Sequence, residues 1–122
     1  MIVDDDEFLT KLYAKKMSES GFQAETILGS VAALEKLRGG EKPDVLLLDI
    51  VMPGMDGIEL LRTIKTEKLA PTSSVIMLTN QSQSAEIEKA KELGVSGYIV
   101  KSNAVPSEVV AEVEAILKKR KT

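Results

Sequence analysis

Six polar side chains stand directly behind short apolar runs. Asp4, Asp5 and Asp6 follow Met1-Ile2-Val3, Asp49 follows Val45-Leu46-Leu47-Leu48, Thr79 follows Val75-Ile76-Met77-Leu78, and Lys101 follows Tyr98-Ile99-Val100. In an open parallel sheet the reactive crevice lies outside the carboxyl ends of the strands. If these runs are such strands, three or four carboxylates, a hydroxyl and an ammonium meet at one end of the sheet. Two carboxylates about 4 Å apart repel by about 4 kcal/mol at an effective dielectric of about 20, so the cluster needs positive charge. Lys101 supplies one such charge. The other candidate is a hard divalent cation, because a few carboxylates with room for water suit magnesium. The direct ligands are read as Asp5, Asp49 and the Val51 backbone carbonyl, with Asp4 acting through water. With the cation in place one carboxylate can attack phosphorus, provided that a metal, a cation and a hydroxyl donor meet the developing charge. Asp49, on a buried central strand, is the best placed acceptor. Lys101 and the magnesium then neutralise the phosphoryl oxygens, and Thr79 hydrogen-bonds one of them.

The elements that would position these groups follow from apolar patterning. Runs that are continuously apolar predict strands buried on both faces, as in a parallel sheet covered by helices. A fifth run, Ala24-Glu25-Thr26-Ile27-Leu28, carries a charge and suits a sheet edge. Between the strands, Phe8, Leu9, Leu12, Tyr13 and Met17 recur at helical spacing before Gly21, and Val31, Leu34 and Leu37 do so before Gly39-Gly40. Ile58, Leu61 and Ile64 follow Asp56, whose carboxylate is placed to cap that helix, with Glu59 three residues on. A more polar helix runs from Ser84 to Leu93, and the last starts near Pro106 with Val109, Val113, Ile116 and Leu117 on one face. Strand and helix alternate five times, which predicts one α/β domain, doubly wound, over residues 1–122. The first strand has only three residues before Asp4, so the natural N-terminus is expected a few residues further out.

Absent residue types remove whole classes of chemistry. With no Cys and no His there are no disulfides, thiolate or imidazole metal sites, Ser-His-Asp or Cys-His machinery, and no histidine phosphodonor. A net charge of -3 with two Tyr, two Phe and no Trp argues against a nucleic-acid surface. No apolar run approaches a membrane span and no leader is visible, so a soluble cytoplasmic chain is expected.

Four segments carry a family resemblance: Ile2-Val3-Asp4-Asp5-Asp6, Leu46 to Gly57 with its Met52-Pro53-Gly54-Met55-Asp56-Gly57, Val75 to Thr79, and Gly97-Tyr98-Ile99-Val100-Lys101. Together they resemble the receiver domain of two-component response regulators, over essentially the whole chain. The resemblance implies a flavodoxin-like (βα)5 fold with strand order 2-1-3-4-5. It implies phosphorylation of Asp49 by the phosphohistidine of a sensor histidine kinase or a histidine phosphotransfer protein, with magnesium as cofactor. It also implies a switch in which Thr79 moves toward the phosphoryl group and Tyr98 turns inward, altering which downstream protein the face of the fourth helix, fifth strand and fifth helix binds.

The sequence departs from the family pattern at several positions. Ser102 replaces the usual Pro after the Lys, where a cis bond to a non-proline residue would cost about 2.5–4 kcal/mol. Ser96-Gly97 replaces the acidic pair of the class that dimerises through that face, so a monomer or weak dimer is expected. Asn80 and the apolar Val51 flank the path of a hydrolytic water, which predicts a long-lived aspartyl phosphate. Three other readings compete. A magnesium-dependent aspartate phosphohydrolase would want a second Asp where Val51 stands. A flavin domain would want hydroxyls rather than three acids after the first strand, and a phosphorylation-independent adaptor has no need of the complete set of side chains. The chain is therefore expected to be no enzyme beyond its own phosphorylation and dephosphorylation, and to act through another protein unless it is a fragment of a longer regulator.

Overall fold

The computed structural model describes residues 1–79, 84–101 and 105–120. Strand and helix alternate as β1 (Ile2–Asp4), α1 (Glu7–Glu19), β2 (Thr26–Leu28), α2 (Ser30–Arg38), β3 (Val45–Asp49), α3 (Gly57–Thr66), β4 (Ser74–Thr79), α4 (Ser84–Glu92), β5 (Gly97–Val100) and α5 (Pro106–Arg120). All pairings are parallel and the order is β2-β1-β3-β4-β5, the doubly wound flavodoxin-like arrangement.

The continuous apolarity of the strands is explained by the two cores they separate. Val3, Leu46, Leu48, Val75 and Met77 pack under α2, α3 and α4, whereas Ile2, Val45, Leu47, Ile76, Leu78 and Ile99 pack under α1 and α5. Successive strand residues point to opposite faces, so a strand covered on both must be apolar at every position. Each of β1, β3 and β4 runs one residue past its apolar stretch and ends on Asp4, Asp49 or Thr79. The first polar residue is therefore still held by the sheet.

Helix faces follow the spacing with one class of exception. On α1 the buried side is Thr10, Tyr13 and Met17, with Leu9 and Ala14 at its margins, whereas Phe8 is 75% exposed and Leu12 lies at the edge of solvent. Val31 on α2 is likewise exposed while Ala33, Leu34 and Leu37 are buried. The apolar stripe is wider than the covered face, and neighbouring elements decide which part of it is used. On α3 the expected Ile58, Leu61 and Ile64 are all buried, joined by Leu60. Among the described residues no helix is long and apolar enough to cross a membrane.

Candidate functional site

The register of the sheet brings the charged residues together. Val3 lies beside Leu48 in the β1–β3 pairing, so the next residues, Asp4 and Asp49, leave adjacent strands side by side. Thr79 pairs with Val100 across β4 and β5, and Lys101 follows directly. The Lys101 ammonium reaches back across the crevice to Oδ2 of Asp4 at 3.2 Å and Oδ1 of Asp49 at 3.3 Å. Asp4 is 0% exposed and Asp49 6%, so both carboxylates are buried, while Lys101 keeps a partly exposed edge. Oxygens of Asp4, Asp5 and Asp49 all lie within 4.8 Å of one another.

The three consecutive acids do three different things. Asp4 accepts the backbone N–H groups of Asp5 at 2.7 Å and Asp6 at 3.1 Å on Oδ1, while its Oδ2 faces Lys101. Asp5 belongs to the cluster but is exposed to solvent. Asp6 caps α1, accepting the Leu9 N–H at 2.9 Å. Asp56 does the same for α3 through the Glu59 N–H, also at 2.9 Å, as its position in the sequence predicts. Met52 is buried in the core and Met55 packs against it, so both methionines serve packing.

Confinement of two carboxylates around one ammonium perturbs all three. Burial is the largest influence on Asp49, and with the hydrogen bond and charge of Asp4 it pushes the carboxyl up to about 7, against the opposing pull of Lys101. Burial also raises Asp4, but the hydrogen bonds from Asp49 and Asp6 and the charge of Lys101 outweigh it and leave Asp4 below the usual carboxylate range. Lys101 loses affinity for its proton through burial and regains more from Asp49 and Asp4, so it stays charged. Of the two coupled carboxyls, Asp49 is the one that takes up a proton first as pH falls, while Asp4 stays ionised to lower pH.

The family description "Response regulator receiver domain" matches residues 1–114. The chain belongs to this family. It is 33% identical over 98% of its length to the phosphate regulon transcriptional regulatory protein PhoB of Rhizobium meliloti, of which it covers 52%. It is also 34% identical to the alkaline phosphatase synthesis transcriptional regulatory protein PhoP of Bacillus subtilis, covering 98% of this chain and 48% of that one. It spans about half the length of these curated relatives. A solved structure, the N-terminal domain of a response regulator/sensory box/GGDEF 3-domain protein from Carboxydothermus hydrogenoformans, superposes with a TM-score of 0.82 at 32% identity, over 98% of this chain and 94% of that one.

The other expected site residues stand on, or directly behind, the neighbouring strands. Thr79 is fully buried at the end of β4. Tyr98 on β5 is 42% exposed, with the Lys91 ammonium of α4 over its ring, 5.6 Å from the centroid. Val51 lies two residues past Asp49 with its side chain exposed. Asn80 and Ser102 lie outside the described residues. At Gly97 the Ile116 side chain of α5 lies close, and an added β-carbon would come within 2.7 Å of its terminal methyl, which that flexible side chain can move to relieve.

One residue that positions the site was read only as part of a motif. Gly57 donates its N–H to the Ile50 carbonyl at 2.7 Å, and a β-carbon at Gly57 would run into the backbone carbonyl of Asp49. The start of α3 is thereby pressed against the backbone of the central carboxylate. A Gly after Asp in a loop reads equally well as a turn residue. Its close approach to another strand end leaves no local trace.

Proposed function

We propose that the chain, residues 1–122, is a phosphoacceptor receiver in a two-component relay, with Asp49 as the acceptor. The observation that carries this reading is the Lys101 ammonium held between Asp4 and Asp49 at the buried strand ends, with Asp5 open to solvent beside them. The donor set fits magnesium: every group is a carboxylate oxygen, three formal negative charges face one lysine, and the exposed Asp5 leaves a side for water. Asp5, Asp49 and the Val51 carbonyl would hold the ion directly, with Asp4, whose oxygens already accept two N–H groups and face the ammonium, acting through water. Bound there, magnesium adds positive charge against the phosphoryl oxygens.

The protein's own part begins with the ionised Asp49 carboxylate. An oxygen of Asp49 attacks the phosphorus of a partner's phosphohistidine, the phosphorus–nitrogen bond breaks, and the imidazole leaves with the electron pair. Lys101 and the Thr79 hydroxyl meet the charge on the transferred oxygens. The partner is a sensor histidine kinase or a histidine phosphotransfer protein. Phe8, Val51 and Val105, exposed apolar residues close behind the ends of β1, β3 and β5, offer such a protein apolar contact around the acceptor. Thr79 and Tyr98 carry the response to an unidentified downstream protein. A cytoplasmic setting is part of the proposal, since kinase phosphohistidine is made from intracellular ATP.

Incubation with acetyl phosphate and magnesium, followed by intact-mass measurement, tests the reading. One phosphoryl group is expected on wild type and none on Asp49→Asn. Modification of Asp49→Asn to the same extent as wild type refutes it.

A further inference from the structure

Gly29 and Ser30 turn the chain from β2 into α2, and neither carries a charge of the acidic cluster. A serine at a helix start ordinarily caps its own first turn. Here Gly29 occupies the cap position, α2 has no side-chain cap, and Ser30 is buried at 4% exposure. The Ser30 hydroxyl donates instead to the Met55 carbonyl at 2.7 Å, beside the Met52 sulfur at 3.9 Å. From the same corner the Gly29 N–H donates to the Asp4 carbonyl at 3.1 Å, in a backbone with φ of 90° that favours glycine.

This corner therefore grips two strand ends at once. One grip is on the last residue of β1, which carries the buried Asp4. The other is on the loop between β3 and α3, which starts directly after Asp49, passes through Val51 and is closed at its base by the Gly57 bond to Ile50. Pro53 and Gly54 at the tip of that loop are exposed, so packing restrains them little. A bond from a buried hydroxyl to Met55 restrains the far side of the loop, and removing it leaves a carbonyl without that donor.

We propose that Ser30 is a positioning residue, whose hydroxyl holds the loop from Val51 to Asp56 in the one shape that presents a complete cation site beside Asp49. The inference rests on the reading of the cluster as a magnesium-dependent phosphoacceptor site. A loop that spends only a fraction of its time in the competent shape binds its ion more weakly by that fraction. Ser30 thus acts through Met55 and touches neither ion nor phosphoryl group.

The test compares wild type, Ser30→Ala and Ser30→Thr by magnesium titration calorimetry and by hydrogen exchange of the amides of residues 51–56 in metal-free protein. Ser30→Ala is expected to weaken magnesium about tenfold and to speed exchange in the loop, while Ser30→Thr, which keeps the hydroxyl, stays within about twofold of wild type. Amides in the middle of α3 serve as the internal standard and are expected to exchange at wild-type rates in all three. Should Ser30→Ala not fold, Ser30→Gly is read by the same two measurements. Wild-type magnesium affinity and unchanged loop exchange in the hydroxyl-free variant overturn the proposal alone. Absence of magnesium uptake by wild type itself overturns the phosphoacceptor reading and this inference with it.

Discussion

Helices α3 and α4 cover the same face of the sheet and are built in opposite ways. α3 starts on the Asp56 cap, buries Ile58, Leu60, Leu61 and Ile64, and ends where the Arg38 guanidinium forks onto the Glu67 carboxylate at 2.9 and 2.6 Å. α4 buries Ala90, keeps Ile87 half-covered with Leu93 half-covered just past its end, and presents mainly Glu and Lys to solvent. The first stands against the backbone of Asp49 and the second beside the outward-facing Tyr98. The chemistry proposed for Asp49 needs fixed distances, and the well-packed α3 is the element placed to supply them. A response to that chemistry needs an element that moves at low cost, and α4 has the least apolar contact to give up.

Core truncation breaks or sharpens this contrast most directly. Leu61→Ala on α3 is expected to cost about 2–5 kcal/mol in urea unfolding, and Ile87→Ala on α4 only about 1 kcal/mol. Hydrogen exchange should rank the helices the same way, with α4 amides faster, and equal losses or equal rates would end the distinction. Next in size is Gly57→Ala, where the added methyl must push α3 away from the Asp49 carbonyl. About 1–3 kcal/mol of stability should go. Phosphorylation of Asp49 by acetyl phosphate should slow as well, whereas Gly94→Ala beside α4, with open space around its position but a left-handed backbone, should leave that rate unchanged.

A smaller effect comes from pH. Burial and Asp4 raise Asp49 to about 7, so the folded protein holds that proton more tightly than the unfolded chain does. The stability it brings is complete below the ordinary carboxylate range and is lost as pH rises through about 7. Asp4, shifted downward, contributes above its ordinary range and loses that on acidification. The Tm of metal-free protein should therefore fall between about pH 5 and about pH 8, and Asp49→Asn should flatten the slope and raise Tm at the alkaline end. A flat wild-type profile would mean that the carboxylates do not feel one another. Smallest is Lys91→Ala, which removes the ammonium over the Tyr98 ring for about 0.5–1 kcal/mol or less. Ring resonances of Tyr98 should report a more mobile side chain with the α3 core unchanged.

Much of this was legible in the residues alone. Leu46-Leu47-Leu48 and Val75 to Leu78 are apolar at every position, a local signal that survives in the sheet because both faces are covered. Asp56 before Ile58 is a local capping signal, and the bond to Glu59 is where it should be. Phe8, Leu12 and Val31 were not separable from their buried neighbours, because a wide apolar stripe does not say which of its margins a neighbour will cover. The division of labour among Asp4, Asp5 and Asp6 was also hidden, since three identical side chains differ only in which way the strand end turns them.

By itself the sequence determined four strands apolar at every position and a charged edge strand, the helices between them, and the polar residue that ends or follows each of four strands, because all of these depend on residues close together in the chain. Only tertiary structure decided that Lys101 would meet Asp4, 97 positions away, and Asp49, 52 positions away. That meeting depends on strand order and register. The same arrangement set the Asp49 carboxyl near 7, since proton affinity follows from burial and the distance to other charges, and neither quantity is a property of one residue or its neighbours in sequence.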